Sequence, residues 1–199
     1  MTPALSPIEK ESFAIIAREA DLSRFGPMGR EVAARIVHST GDIGITADLY
    51  LPEPAVEAGV AALAAGAQLI VDVRMLAAGI PRYPSITAID LAPGTPAGQT
   101  RSHQGMRSAL LAQPSGAIVA VGSAPTALQA VLELAEARAP RLVAGFPVGF
   151  VGATEAKEAL CVSLLPALSC LSRRGGSPMA AAAINAMLLM SRGEYRLAR

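Results

Sequence analysis

The sequence predicts a three-layer α/β/α fold around a mostly parallel five-stranded sheet, and two observations lead there. Short, nearly unbroken apolar runs alternate with stretches whose apolar residues recur at helical spacing. Parallel strands need crossovers of helix length, and strands covered on both faces read as continuous apolar runs rather than alternating ones. The composition agrees: 52% of residues are hydrophobic but only 4% aromatic, and 18 Gly and 15 Pro punctuate the chain. At 199 residues one domain, 1–199, is expected.

The elements follow in order. SPIEKESFAIIAREA reads as a helix with Ser6 as N-cap and Pro7 at its first position, and GPMGREVAARIVHST as a second, ended by Gly41. AVEAGVAALAAG is a third helix, leading to the strand LIVDV at 69–73 and, further on, SITAIDL at 85–91. The Pro/Gly-rich excursion LAPGTPAGQT, 91–100, is too short for an interdomain linker. Helix TRSHQGMRSALLA, strand GAIVAVG (116–122), helix PTALQAVLELAEA, strand RLVAGF (141–146), helix TEAKEALCV, strand PALSCL (166–171) and helix PMAAAAINAMLLM complete the alternation.

Several functions are disfavoured. No run approaches the roughly 18 apolar residues of a membrane span, and the start carries acidic residues where a signal peptide would be basic and then apolar. A cytoplasmic protein without membrane association is expected. Net charge is +1 with both signs interspersed, so no basic stripe offers itself to nucleic acid. Cys161 and Cys170 lack C-x-x-C spacing or a histidine cluster, which predicts two reduced, buried thiols and no metal site.

In open parallel sheets ligands lie beyond the carboxyl ends of the strands, where the strand order reverses. Three glycine-bearing turns feed helices there: GSAPTALQAV (122–131), with Ser123, Ala124 and Thr126; GFPVGFVGATEAKEAL (145–160); and RRGGSPMAAAAINAM (173–187), with Gly175, Gly176 and Ser177. Exposed N–H groups and the helix dipole let such turns hold an anion, although the glycines serve equally to close αβ turns. Ser177 reads as an N-cap before Pro178, with Arg173 and Arg174 just upstream. Neither G-x-x-x-x-G-K-S/T nor a G-x-G-x-x-G opening a helix after a strand is present. Arg101 and Ser102 start a helix where a guanidinium could grip a carboxylate, His103 reads as exposed, and Asp72 reads as loop anchor or catalytic group alike. His38, in RIVHSTGD, sits in the last turn of its helix, where the dipole favours imidazolium by about 0.3–1 kcal/mol and burial among Ile and Val would oppose it.

As a set, ESFAIIAREADLSRF, RIVHSTGD, ALAAGAQLIVDVRMLAAGI, TRS, AIVAVGSAPTAL, GFPVGFVGATEAKEAL and GGSPMAAAAIN resemble the precorrin-8X methylmutase family of corrin biosynthesis. They occur in that family's order over nearly the whole chain, and PVGFVGATEAKEAL and the R-x-V-H-x-x-G pattern are its specific parts. The resemblance implies a flavodoxin-like homodimer and a corrinoid substrate that carries many carboxylates. It implies an intramolecular methyl shift from C-11 to C-12 giving hydrogenobyrinic acid, with no cofactor or methyl donor. It assigns the acid to His38 and a substrate contact to Ser12. Arg74 stands where the family pattern has an acidic residue, and Ser123 where asparagine is common. The same motifs serve metal-free precorrin-8X and its cobalt complex, and a tetrapyrrole-binding protein without turnover is the alternative from another class.

Overall fold

The computed structural model describes residues 6–94 and 98–197, so positions 95–97 of the expected excursion lie outside the described residues. Helix α1 (Pro7–Glu19) begins as the sequence predicts: Ser6 Oγ accepts from the Glu9 amide at 3.1 Å, and Pro7 takes the first position. Helix α2 (Pro27–Thr40) closes on Gly41 at φ 67°, a left-handed cap that glycine adopts without steric cost. At its other end Gly26 has no side chain to offer the free amides. Glu53, the first residue of α3 (Glu53–Ala64), supplies the cap across space, its carboxylate accepting from the amides of Met28 at 2.8 Å and Gly29 at 2.9 Å.

The sheet runs in the order β1-β6-β5-β4-β2-β3. The five expected strands are β2 (Leu69–Val71), β3 (Ser85–Thr87), β4 (Ile118–Val121), β5 (Leu142–Gly145) and β6 (Ala167–Cys170), all mutually parallel. The expected count of five is corrected to six by β1 (Leu49–Tyr50), which pairs antiparallel with β6 at the edge. Two residues carry no readable period; their strand state comes from the partner. The expected strand at 85–91 stops at Thr87 because the Ile89 amide donates to the Asp72 carbonyl at 3.1 Å, and 88–91 form a 3-10 turn. Helix α4 (Arg74–Ala78), after β2, was not apparent in the sequence pattern.

Strand residues divide by parity, as the pleat requires. Leu69, Val71, Ile118, Ala120, Leu142, Ala144, Leu168 and Cys170 share one core with α2, α3 and α9 (Ser177–Met190). Ile70, Val119, Val121, Val143 and Ala167 share the other with α5 (Arg101–Ala112), α6 (Pro125–Glu133) and α8 (Ala153–Cys161). Helix α1 lies on α2, outside the first layer. The segment expected as one helix from Pro125 breaks at Leu134 into α6 and the short α7 (Ala135–Arg138). Helix α9 is apolar all round and almost wholly buried, as such a helix must be. Glu31 near the start of α2 accepts from the amides of Arg196 and Leu197 beyond the end of α9. The two helices are therefore antiparallel, and the His38 end of α2 lies toward the start of α9.

Because α2 has no cap of its own, Glu53→Ala should destabilise the protein by about 1–3 kcal/mol in urea denaturation, with Glu53→Gln, which keeps an acceptor, losing less. Equal midpoints for parent and Glu53→Ala would contradict the cap.

Candidate active site

The chain steps outward from β2 to β3 and returns on the other side of β2 as β4, so the strand order reverses between β2 and β4. Asp72, one residue past β2 and 1% exposed, spans that gap. Its Oδ2 accepts from the amides of Ser123 at 2.7 Å and Ala124 at 3.4 Å, which anchors the turn before α6. Burial raises its pKa against the lowering effect of those same amides.

The three glycine-bearing turns converge at this edge. Gly122 lies so close to the start of α9 that a Cβ there would stand 2.6 Å from the Ser177 Cα. Gly175 packs likewise on the Phe146 and Pro147 carbonyls, and the Gly176 amide donates to Phe146 O at 2.8 Å. Gly149 N donates to Arg173 O at 3.2 Å, tying the second turn to the third. Ser177 is not the N-cap that its sequence position suggested. Gly176, at φ 117°, occupies the cap, and Ser177 is the buried first residue of α9.

Arg101, Ser102 and Thr126 join this edge from the other helical layer. Thr100 caps α5, accepting from the His103 amide at 3.2 Å, and its hydroxyl lies 2.7 Å from that of Thr126 on α6. Arg101 is exposed, its guanidinium 3.5 Å from Ile89 O, and Ser102 is half-buried. His103 is buried, contrary to expectation, because α6 packs over α5 and brings the half-exposed Glu133 to 3.1 Å from its ring.

His38, on α2, and Ser12, on the adjoining α1, make a second group linked through Phe13. The His38 ring stacks on Phe13 with centroids 5.0 Å apart and planes inclined by 15°, so one face is covered while the residue as a whole stays exposed. Ser12, half-buried, precedes Phe13 on α1.

Ion pairs connect the two groups. Arg174, which the sequence places just upstream of the third turn, binds Asp42 just past the cap of α2 and reaches Asp48 at 2.7 Å. Arg173 instead lies over the Phe150 ring at 5.4 Å. The loop carrying both is pinned by Lys157, fully buried on α8, whose ammonium donates to the carbonyls of Ser172 and Arg174. Sequence reasoning missed Lys157, although its place between Ala153 and Leu160 on the apolar face of α8 was a signal. Burial lowers its pKa, and nearby Cys170 and Asp48 oppose that. Cys161 is half-buried, and burial pushes its thiol up to about 11; Cys170 is buried and shifted the same way. Among the described residues no three His, Cys, Asp or Glu side chains are grouped to hold a metal, and no helix is long and apolar enough to cross a membrane.

A doubly wound sheet with backbone amides and glycine-walled turns gathered at its reversal point defines an α/β protein of the flavodoxin-like type. The family model for precorrin-8X methylmutase matches residues 7–190. The chain is 40% identical to the precorrin-8X methylmutase of Pseudomonas aeruginosa, over 90% of this chain and 93% of that one. It is 36% identical to the cobalt-precorrin-8 methylmutase of Synechocystis sp., over 96% and 98%. The crystal structure of a precorrin-8X methylmutase from Thermus thermophilus superposes with a TM-score of 0.85 at 36% identity, covering 94% of this chain and 98% of that one. The chain belongs to the precorrin-8X methylmutase family, whose members are isomerases.

Burial pushes the Asp48 carboxyl up, but hydrogen bonds from Ser172 and Arg174 and the charges of Arg174 and Lys157 outweigh it and hold the group below the usual range. A depressed carboxylate stabilises the fold above its unfolded pKa near 3.9, and that contribution disappears as pH falls through the folded value. Asp48→Asn should therefore flatten the loss of stability below about pH 4, read from urea midpoints across pH. Parallel acid limbs in parent and variant would show that the Asp48–Arg174 pair contributes nothing.

Proposed function

We propose that the protein converts precorrin-8X to hydrogenobyrinic acid, with His38 as the general acid and 1–199 acting as one domain. The observation that carries the reading is the imidazole held at the C-terminal end of α2, one face against Phe13 and the residue open to a ligand. A proton shared with the conjugated macrocycle draws electron density from the ring. The bond from the methyl carbon to C-11 breaks as its bond to C-12 forms, and the proton returns to His38. Nothing is added or lost. Acid assistance of this kind is worth roughly 10² to 10⁴ in rate.

Ser12, next in sequence to the Phe13 on which the acid stacks, contacts substrate. The turns with Ser123, Ala124, Gly175, Gly176 and Ser177, together with Arg101, Ser102 and Thr126, receive its carboxylates through amides, hydroxyls and a guanidinium. The metal-free substrate is favoured by the 40% identity to relatives named precorrin-8X methylmutase, against 36% for the cobalt-precorrin-8 enzyme. The protein acts as a cytoplasmic homodimer. Phe150 and Val151, 84% and 88% exposed on the loop before α8, supply apolar surface at the edge where subunits would meet around the ring.

His38→Asn keeps a similar polar volume without an acidic proton. It should fold, bind hydrogenobyrinic acid within about tenfold of the parent, and lose on the order of 10² or more in turnover of precorrin-8X followed by absorbance. Near-parental turnover would make His38 a packing residue. Extracted pigment left unchanged by the parent protein would favour binding without catalysis, and running the cobalt complex in parallel fixes the substrate form. Sedimentation at micromolar concentration should give about twice 20.3 kDa; a catalytically competent monomer would eliminate the shared site.

A further inference from the structure

A cavity of about 500 Å³ lies between the N-terminal half of α1, the loop after α4 and the last turns of α9. Among the described residues four arginines line it, Arg35, Arg82, Arg192 and Arg196, against the one carboxylate of Glu9. Glu9 is taken by Arg35 at 3.0 Å. Arg196 reaches Glu194 only at 3.7 Å, and its Nε is buried without a hydrogen-bond partner among the described residues. Arg82 and Arg192, both exposed, pair with no acidic group among the described residues. Gathering four guanidiniums around one carboxylate is unfavourable unless anions enter, and the planar fork of arginine suits carboxylate above all.

The position of the cavity gives it a purpose. Ser6 and Glu9 line it from α1, and Ser12 follows on the same face one turn later. Arg35 lines it from α2, and His38 follows three residues on. The cavity therefore opens one helical turn from the His38–Ser12 pair.

We infer that this cavity is a carboxylate subsite, in which Arg82, Arg192 and Arg196 hold acidic side chains at the rim of the macrocycle while the ring lies beside His38. This rests on the reading of His38 as the acid. The subsite is distinct from the backbone-lined turns at the sheet edge, since it works through formal charge rather than through amides. It places several guanidiniums on the same helical layer as the acid, so one end of the ring is held by guanidiniums and the other by helix N-termini.

The test is the double variant R82Q/R192Q, whose exposed positions leave folding intact, with R82K/R192K and R141Q beside it. R82Q/R192Q should raise KM for precorrin-8X about tenfold or more, with kcat falling far less, and should weaken hydrogenobyrinic acid by a similar factor in an absorbance titration. R82K/R192K should recover part of the loss, because charge returns without the bidentate fork. R141Q removes one charge at the exposed Arg141, remote from the cavity, and should leave KM unchanged at equal ionic strength. An unchanged KM and product affinity in R82Q/R192Q, or an equal loss in R141Q, would overturn the subsite. A parent protein that binds the product but never turns substrate over would defeat the His38 mechanism alone, since the titration would still measure the arginines.

Discussion

The buried ammonium of Lys157 is the interaction on which the functional edge depends. Withdrawing such a charge from water costs several kcal/mol unless it is paired and hydrogen-bonded, and here the pairing comes from the backbone carbonyls of Ser172 and Arg174. The loop after β6 must curl around the charge. That curl presents the Arg174 guanidinium to Asp42 and Asp48, and it presses Gly175 against the carbonyls after β5. One buried cation thus sets both the start of α9 and the segment that follows α2, and through them the relation between His38 and the turns at the sheet edge.

What could be read from the sequence was what local pattern determines. The five parallel strands are legible because each is an apolar run with a helix-length crossover on either side, and the caps at Ser6 and Gly41 because a hydroxyl and a glycine act on their own neighbours. The misreadings share a cause, namely partners distant in the chain. Tyr50 is in a strand only because Ser169 lies opposite it. His103 looked exposed on a polar helix start, yet α6, which carries Glu133 thirty residues on, packs over it. Ser177 has the residue type of a cap, but Gly122 presses so closely on it that the cap falls to Gly176.

The candidate site divides in the same way. RIVHSTGD marks His38 by motif, and its helix-end position is local, so the sequence suffices to nominate it. That Phe13 covers one face of the ring depends on how α1 crosses α2, which no single segment encodes. The arginines at 35, 82, 192 and 196 are scattered along the chain and form no motif. Only the antiparallel packing of α2 on α9, fixed at one end by Glu31 and the chain beyond Met190, gathers them.

That packing bears on how the molecule is made. Helix α9 follows all six strands of the sheet in sequence, yet it fills the centre of the first layer, touching α2, α3, α4 and the middle of the sheet. A nascent chain synthesised through β6 has all six strands and still lacks the helix against which Ile36, Val56 and Leu142 pack. Its apolar faces stand open until residues 177–190 leave the ribosome. The layer that carries His38 is therefore completed only after the whole sheet has been made, so the strands cannot bring the active site together without the helix that follows them.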